Sequence, residues 1–309
     1  MTPGPTQLVV LGPQRRPTLD SVVASLGSSI DSDGPIATVT AGWQEREPDD
    51  AELDGLLGGR SANLRLHARW LDVLDRDPEY AAAELAHRAA LDDLQELYLL
   101  QLDGALQALA EIARHGGPAR TRTIAHADAE AVVRLVDERH LARVQELSVD
   151  FAETWRPGER AAVAEHRAAV RHVLGEVSAL VVAGGHVGVL LHVLRLFDVA
   201  AHVPGTVVAW SAGAMALTDR VLLFHDKAPH GPAHPEFADT GLRLLPGCVL
   251  LPHARRRLRT DDPQRLAVLA SRAAPAPCVV LDDGARIDVL TGGGLPEGTT
   301  VIGADGRIT

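Results

Sequence analysis

Cysteine is nearly missing from the chain: Cys248 and Cys278 are its only two, so no disulfide framework is available. That usage points to a reducing compartment, and the expected location is the cytoplasm. Lysine is scarcer still, since Lys227 stands alone among 30 basic residues, a compositional bias rather than a functional signal. Positive charge is outweighed by 41 acidic residues, giving a formal net charge of −11. A nucleic-acid partner is therefore excluded, because a polyanion must be met by a cationic surface that releases its counterions. Long hydrophobic runs are also lacking, which excludes a membrane span. Residues 1–6 carry no basic segment and the apolar run 8–11 is too short for an export signal. No internal repeat or low-complexity tract is present.

What is present is 309 residues, 46% of them hydrophobic, enough for one large domain or one domain with a substantial insertion. The apolar runs 8–11 and 36–40 end at Gly12-Pro13 and Ala41-Gly42, and read as first strands flanking a short helix over 19–26. From 49 to 114 the pattern turns helical, with Leu91, Leu94, Tyr98, Leu102, Ala105, Leu109 and Ile112 at steps of three and four. Gly116-Gly117-Pro118 closes this stretch. The division expected is residues 1–48 as the first strands, 49–117 as a helical insertion, and 118–309 as the remaining α/β domain. The insertion's apolar stripe is a packing face, suited to a lid or to a homodimer contact.

Helices over 127–147 and 158–174 precede a renewed strand–helix rhythm: strand 177–183, helix 187–197, strand 206–210, helix 212–219, then strands 248–251 and 278–281. Such alternation predicts a doubly wound, mainly parallel α/β sheet, with functional residues just beyond the strands' carboxyl ends. Short β-like pieces after Arg286, broken by Gly292-Gly293-Gly294 and Asp305-Gly306, predict hairpins at a sheet edge.

The strongest chemical signal is Val207-Val208-Ala209-Trp210-Ser211-Ala212-Gly213-Ala214. A serine hydroxyl becomes a nucleophile when a tight strand-to-helix turn holds it beside a base, with backbone N–H groups facing the developing oxyanion. Small residues after Ser211 permit that turn, although Ala209 stands where the G-x-S-x-G elbow has glycine. Gly184-Gly185 ends the preceding strand and offers a second oxyanion donor. His253 ends the next strand, placed to take the serine proton, and Asp282 and Asp283 end the one after, placed to orient the imidazole. Asp226 lies between Ser211 and His253 in the chain and is the other candidate acid. Asp283 is preferred for its place at a strand end.

These residues, together with Gly241-Leu242, Leu245-Pro246-Gly247, Pro252-His253 and Asp282-Asp283-Gly284, resemble the dipeptidase E and cyanophycinase family of serine peptidases (peptidase S51). The resemblance covers about residues 177–309 well and the first two strands weakly. It implies a class I glutamine amidotransferase-like, flavodoxin-like fold, Ser211 as nucleophile, His253 as base, and Gly185 with Ala212 as oxyanion donors. It leaves the acid open: Asp283 resembles the cyanophycinase glutamate, and Asp226 the aspartate of dipeptidase E. His186 stands where the family carries Asn or another polar residue, and Asp replaces Glu near Gly284.

His186 and Arg257 are the expected substrate contacts, because a guanidinium among Arg255, Arg256, Arg257 and Arg259 can hold a carboxylate through two hydrogen bonds. His225, His230 and His234 share a loop but lack carboxylate or cysteine at metal spacing, so no metal is expected, and no cofactor. Trp43 is expected to pack under the insertion, and the two cysteines to be buried in strands. The function expected is a serine peptidase or amidohydrolase working through an acyl-enzyme on a peptide or small molecule. The alternatives are a catalytically silent amidotransferase-like binding protein and a small-acyl esterase.

Overall fold

The computed structural model describes residues 5–15, 17–31, 33–226, 234–290 and 292–309. The chain opens with β1 (Gln7–Leu11), α1 (Leu19–Ser25), β2 (Ile36–Val39), α2 (Ala51–Leu56), β3 (Ser61–Asn63) and α3 (Leu66–Arg76). Two 37-residue helices follow, α4 (Pro78–Arg114) and α5 (Ala119–Trp155). Next come α6 (Ala161–Gly175), β4 (Ala179–Val182), α7 (Val187–Leu196), β5 (Thr206–Trp210), α8 (Ala212–Ala216), β6 (Arg220–Leu223) and β7 (Glu236–Thr240). The chain ends with β8 (Val249–Pro252), α9 (Ala254–Arg257), α10 (Pro263–Ala273), β9 (Cys278–Leu281), β10 (Arg286–Leu290) and β11 (Val301–Ile302).

The central sheet has the order β10-β1-β5-β4-β2-β3, and every neighbouring pair is parallel except β1 with β10. Its middle strands β5, β4 and β2 are buried at every position and mostly apolar because both faces are covered, Thr206 and Thr38 being the polar exceptions. Side chains alternate between faces, so Val10, Ala209 and Val182 enter the larger core, which also takes α3, α6 and α7. Val9, Val208 and Val181 enter a second core closed by α1 and by Leu53 of α2. The fold is thus mixed α/β with a mainly parallel central sheet. A smaller sheet, β11-β9-β8, and a two-stranded ribbon, β6-β7, extend it.

The helical segment is divided differently from the sequence expectation. Ser61–Asn63 lies inside the span 49–117, yet it pairs with β2 as the edge of the central sheet. The long antiparallel pair is instead α4 and α5, running over 78–155. Asp77 starts α4 by accepting the Tyr80 N–H, with Pro78 in the first turn, and the chain reverses after His115. Tyr98, Leu102, Leu106 and Leu109 of α4 pack with Val133 of α5, so the apolar stripe serves packing between the two arms. A buried polar knot ties the pair to the body. Arg272 of α10 donates to both carboxylate oxygens of Asp137 at 2.8 and 2.9 Å and to the Pro235 carbonyl, while the Tyr98 hydroxyl donates to Asp137.

The β-like pieces of the tail are shared between the two sheets. β10 lies antiparallel on β1, whereas β11 lies antiparallel on β9. Residues 301–309 fold back through Asp305-Gly306. At Gly306, φ is +75° and an added Cβ would sit 1.8 Å from the Pro263 carbonyl oxygen, so glycine is required.

Candidate active site

The parallel strands β1, β2, β4 and β5 end along one edge of the central sheet, and a cleft of about 650 Å³ opens there. Ser211, Gly185, Ala212, His186, His253 and Arg257 all line it. Gly185 and His186 follow β4 and Ser211 and Ala212 follow β5, whereas His253 and Arg257 arrive from the neighbouring sheet, where Pro252 of β8 pairs with Leu281 of β9.

Ser211 sits between β5 and α8 with φ 51° and ψ −122°, outside the left-handed helical region, and its side chain makes no capping hydrogen bond. A side chain other than glycine held in such a conformation costs about 1–3 kcal/mol and persists only where its surroundings enforce it. The surroundings are visible. At Gly213 an added Cβ would fall 2.4 Å from the Val182 carbonyl oxygen and 2.6 Å from that of Ala183, so α8 starts directly against the end of β4. At Gly184 an added Cβ would lie 2.9 Å from the Ser211 Cβ. Those two glycines let strand, turn and helix close up around the serine, a role that Ala209 does not obstruct.

Gly185 has φ +122°, and its Cα approaches the Gly42 carbonyl so closely that a Cβ would lie 2.3 Å from the oxygen. Among the described residues, neither the Gly185 N–H nor the Ala212 N–H is taken by an acceptor, and both residues face the cleft. His186 caps α7: its Nδ1 accepts the Val189 N–H at 3.2 Å, and the residue lines the cleft.

His253 adopts the left-handed conformation, φ 58° and ψ 32°, and its backbone N–H donates to the Leu281 carbonyl. Burial, with the guanidinium groups of Arg257 and Arg15, lowers its pKa, and Asp283 and Asp282 partly oppose this. The imidazole is therefore neutral at pH 7 and able to accept a proton. Among the described residues, neither the Ser211 hydroxyl nor the His253 ring is engaged in a hydrogen bond. Burial and Arg15 likewise lower the pKa of Arg257, and neither Arg257 nor Arg15 has an ion-pair partner among the described residues.

The three candidate acids part company. Asp226 does not line the cleft, and its side chain is only 1% exposed. Its two oxygens accept from Arg265 at 2.7 and 2.9 Å, and the Arg259 N–H adds a third bond. This carboxylate is committed to holding α10, an arrangement that disfavours Asp226 as the acid. Asp282 accepts the Arg255 N–H and pairs with the Arg255 side chain, fixing the start of α9. Asp283 is exposed and shares a shallow depression with His253, Arg15 and Arg256.

Other expectations resolve as follows. Trp43 is partly buried, packs with the cluster that includes Leu53 and Leu56 at the start of the 49–117 segment, and lines the cleft. Arg255, Arg256 and Arg259 are exposed. His234 contacts Arg265 at 3.3 Å, His225 is exposed, and His230 lies outside the described residues. Among the described residues no group of three or more His, Cys, Asp or Glu is placed to hold a metal ion. Cys248 and Cys278 are buried, and burial pushes both thiols up to about 12. Sequence reasoning missed Arg15 and Asp239. Arg15 follows β1 at the sheet's carboxyl edge, a position that could have marked it; Asp239 lines the cleft but is neutralised by Arg195 at 2.9 Å.

No family model matches the sequence, and no curated protein matches it. Among solved structures, a peptidase from an acI-B1 Actinobacterium aligns over 97% of this chain and 88% of its own, with 11% identity and a TM-score of 0.45. A likeness at that level assigns neither family nor activity. Among the described residues, no helix is long and apolar enough to cross a membrane.

Proposed function

We propose that the protein is a serine hydrolase, a peptidase or amidohydrolase that forms an acyl-enzyme on Ser211. The observation that carries this reading is the strained backbone of Ser211 at a strand-to-helix elbow, φ 51° and ψ −122°, facing an open cleft. A serine that merely capped α8 would have no use for that strain, and the Ser211 side chain makes no cap.

In the proposed reaction the Ser211 oxygen attacks the scissile carbonyl carbon while its proton passes to the neutral His253. The oxyanion is met by the N–H groups of Gly185 and Ala212, which are already oriented and free. Collapse of the tetrahedral intermediate breaks the C–N bond, and the departing amine takes the proton from His253. Water then attacks the ester, again giving its proton to His253, and Ser211 is regenerated. Asp283 is the carboxylate we assign to stabilising the imidazolium, since it raises the pKa of His253 more than Asp282 does and has no ion-pair partner among the described residues. Arg257 and His186 are assigned to the substrate. The unpaired guanidinium groups of Arg257 and Arg15 favour a substrate carboxylate near the scissile bond. This is the chemistry implied by the resemblance to the dipeptidase E and cyanophycinase family.

The test is the rate at which a fluorophosphonate labels the protein. His253→Ala is expected to slow labelling by about 10²–10⁴-fold, the usual contribution of a general base. An unchanged rate removes His253 from the mechanism. Turnover of esters but not amides by the wild type would favour the small-acyl esterase over the peptidase.

A further inference from the structure

A second cavity, about 400 Å³, adjoins the cleft on the α1–α2 side of the sheet. Gln14, Trp43, Gly185 and Trp210 line both spaces, so the two meet at the oxyanion glycine and at the residue preceding the nucleophile. A carbonyl held on Gly185 and Ala212 therefore stands at their junction.

The chemistry of the two spaces differs. The larger cleft presents the unpaired cations Arg15 and Arg257. The smaller one is walled by hydrocarbon and aromatic rings: Leu19, Leu53, Leu56, Pro17, Trp43 and Trp210. Its polar groups are committed or acidic. The Gln14 carbonyl oxygen accepts the Thr18 N–H at 2.9 Å, and its amide donates to the Gly12 carbonyl at 3.2 Å. Arg46 is paired at the surface with Asp49, and Glu52 is exposed at the mouth. With two carboxylates against one paired cation an anionic group is disfavoured there, whereas an uncharged apolar group gains by leaving water, at about 25 cal/mol per Å² buried.

Trp43 is held at this junction by unusual backbone. Gln44, the next residue, has φ 57° and ψ −122°, the same rare conformation as Ser211. Both lie just past the carboxyl ends of parallel strands, where such strain accompanies function.

We infer that the second cavity is a specificity subsite for an uncharged apolar group, aromatic or branched aliphatic, carried by the substrate beside its scissile carbonyl, with Trp43 and Leu56 as its determinants. This rests on Ser211 being the nucleophile. The substrate class that follows is a peptide or amide with an apolar group on one side of the reacting carbonyl and a carboxylate on the other.

The inference is tested with two fluorophosphonate probes of equal leaving group, one bearing a methyl and the other a phenylalkyl substituent. Their labelling rates are compared on the wild type, Trp43→Ala and Leu56→Arg, with far-ultraviolet circular dichroism and melting checked for each variant. The wild type is expected to react at least about tenfold faster with the phenylalkyl probe, the factor worth 1.4 kcal/mol. That ratio is expected to fall towards one in Leu56→Arg, where a cation enters the cavity, and to fall in Trp43→Ala. Equal rates on the wild type, or a ratio retained in both folded variants, overturns the subsite while leaving the serine reading intact. Absence of labelling by either probe overturns the serine reading and the subsite with it.

Discussion

At the scale of single residues, the site depends on how closely backbone can approach backbone. Gly184 and Gly213 remove the two Cβ atoms that would collide with Ser211 and with the end of β4, and Gly185 accepts contact with Gly42. The elbow is thus built from neighbours rather than from the motif residue itself, which is why Ala209 is tolerated within β5. His253 supplies the pH dependence. Its pKa is lowered by burial, then by Arg257 and Arg15, and is partly restored by Asp283 and Asp282. Activity is expected to rise with pH as the ring deprotonates, with the midpoint below the ordinary histidine value. Arg257→Gln removes a cation and is expected to move that midpoint up, whereas Asp283→Asn removes an anion and is expected to move it down. Proton NMR titration of the His253 ring reads both shifts directly, and shifts of the opposite sign would contradict the assignment of these neighbours.

At the scale of elements, α4 and α5 are fastened to the body through Arg272 and Asp137, whose side chains are 3% and 4% exposed. Removing one partner leaves a buried charge uncompensated, so Arg272→Ala is expected to cost about 3–5 kcal/mol in urea denaturation. The double change Arg272→Met with Asp137→Leu is expected to recover most of that loss, since apolar replacements remove both desolvated charges together. Recovery is limited by the Tyr98 hydroxyl, which loses its acceptor. The same elements show where sequence reading succeeds. β5 is legible residue for residue, because Val207, Val208 and Ala209 form an unbroken apolar run between Gly205 and Ser211 and are covered on both faces. β3 is not legible: Ser61, Ala62 and Asn63 form a three-residue edge strand without apolar periodicity, specified by pairing with β2. The helical stripe through Tyr98 and Leu109 was readable, and the helix expected over 127–147 lies within α5, yet the pairing of the two was not legible, since the matching surface is Val133 together with polar Asp137 and His140. Nor does spacing reveal that Arg265, 39 residues beyond Asp226, claims its carboxylate.

At the scale of the whole molecule, the sheet's carboxyl edge gathers the candidate chemistry while α4 and α5 leave large apolar residues uncovered. Leu97 and Leu100 lie one turn apart on α4 and are 54% and 73% exposed. We propose that this face serves a homodimer. Light scattering is then expected to give twice the chain mass of 32.8 kDa, and Leu97→Lys with Leu100→Lys to halve it. A monomer in the wild type would refute that role.

The central claim, an activated serine, is tested most directly by intact-mass spectrometry of the wild type and Ser211→Ala after exposure to a small fluorophosphonate. The account predicts one adduct on the wild type and none on the variant. An adduct that persists in Ser211→Ala would contradict it by placing the reactive group elsewhere, and an unmodified wild type would contradict it and bring the binding-protein reading forward.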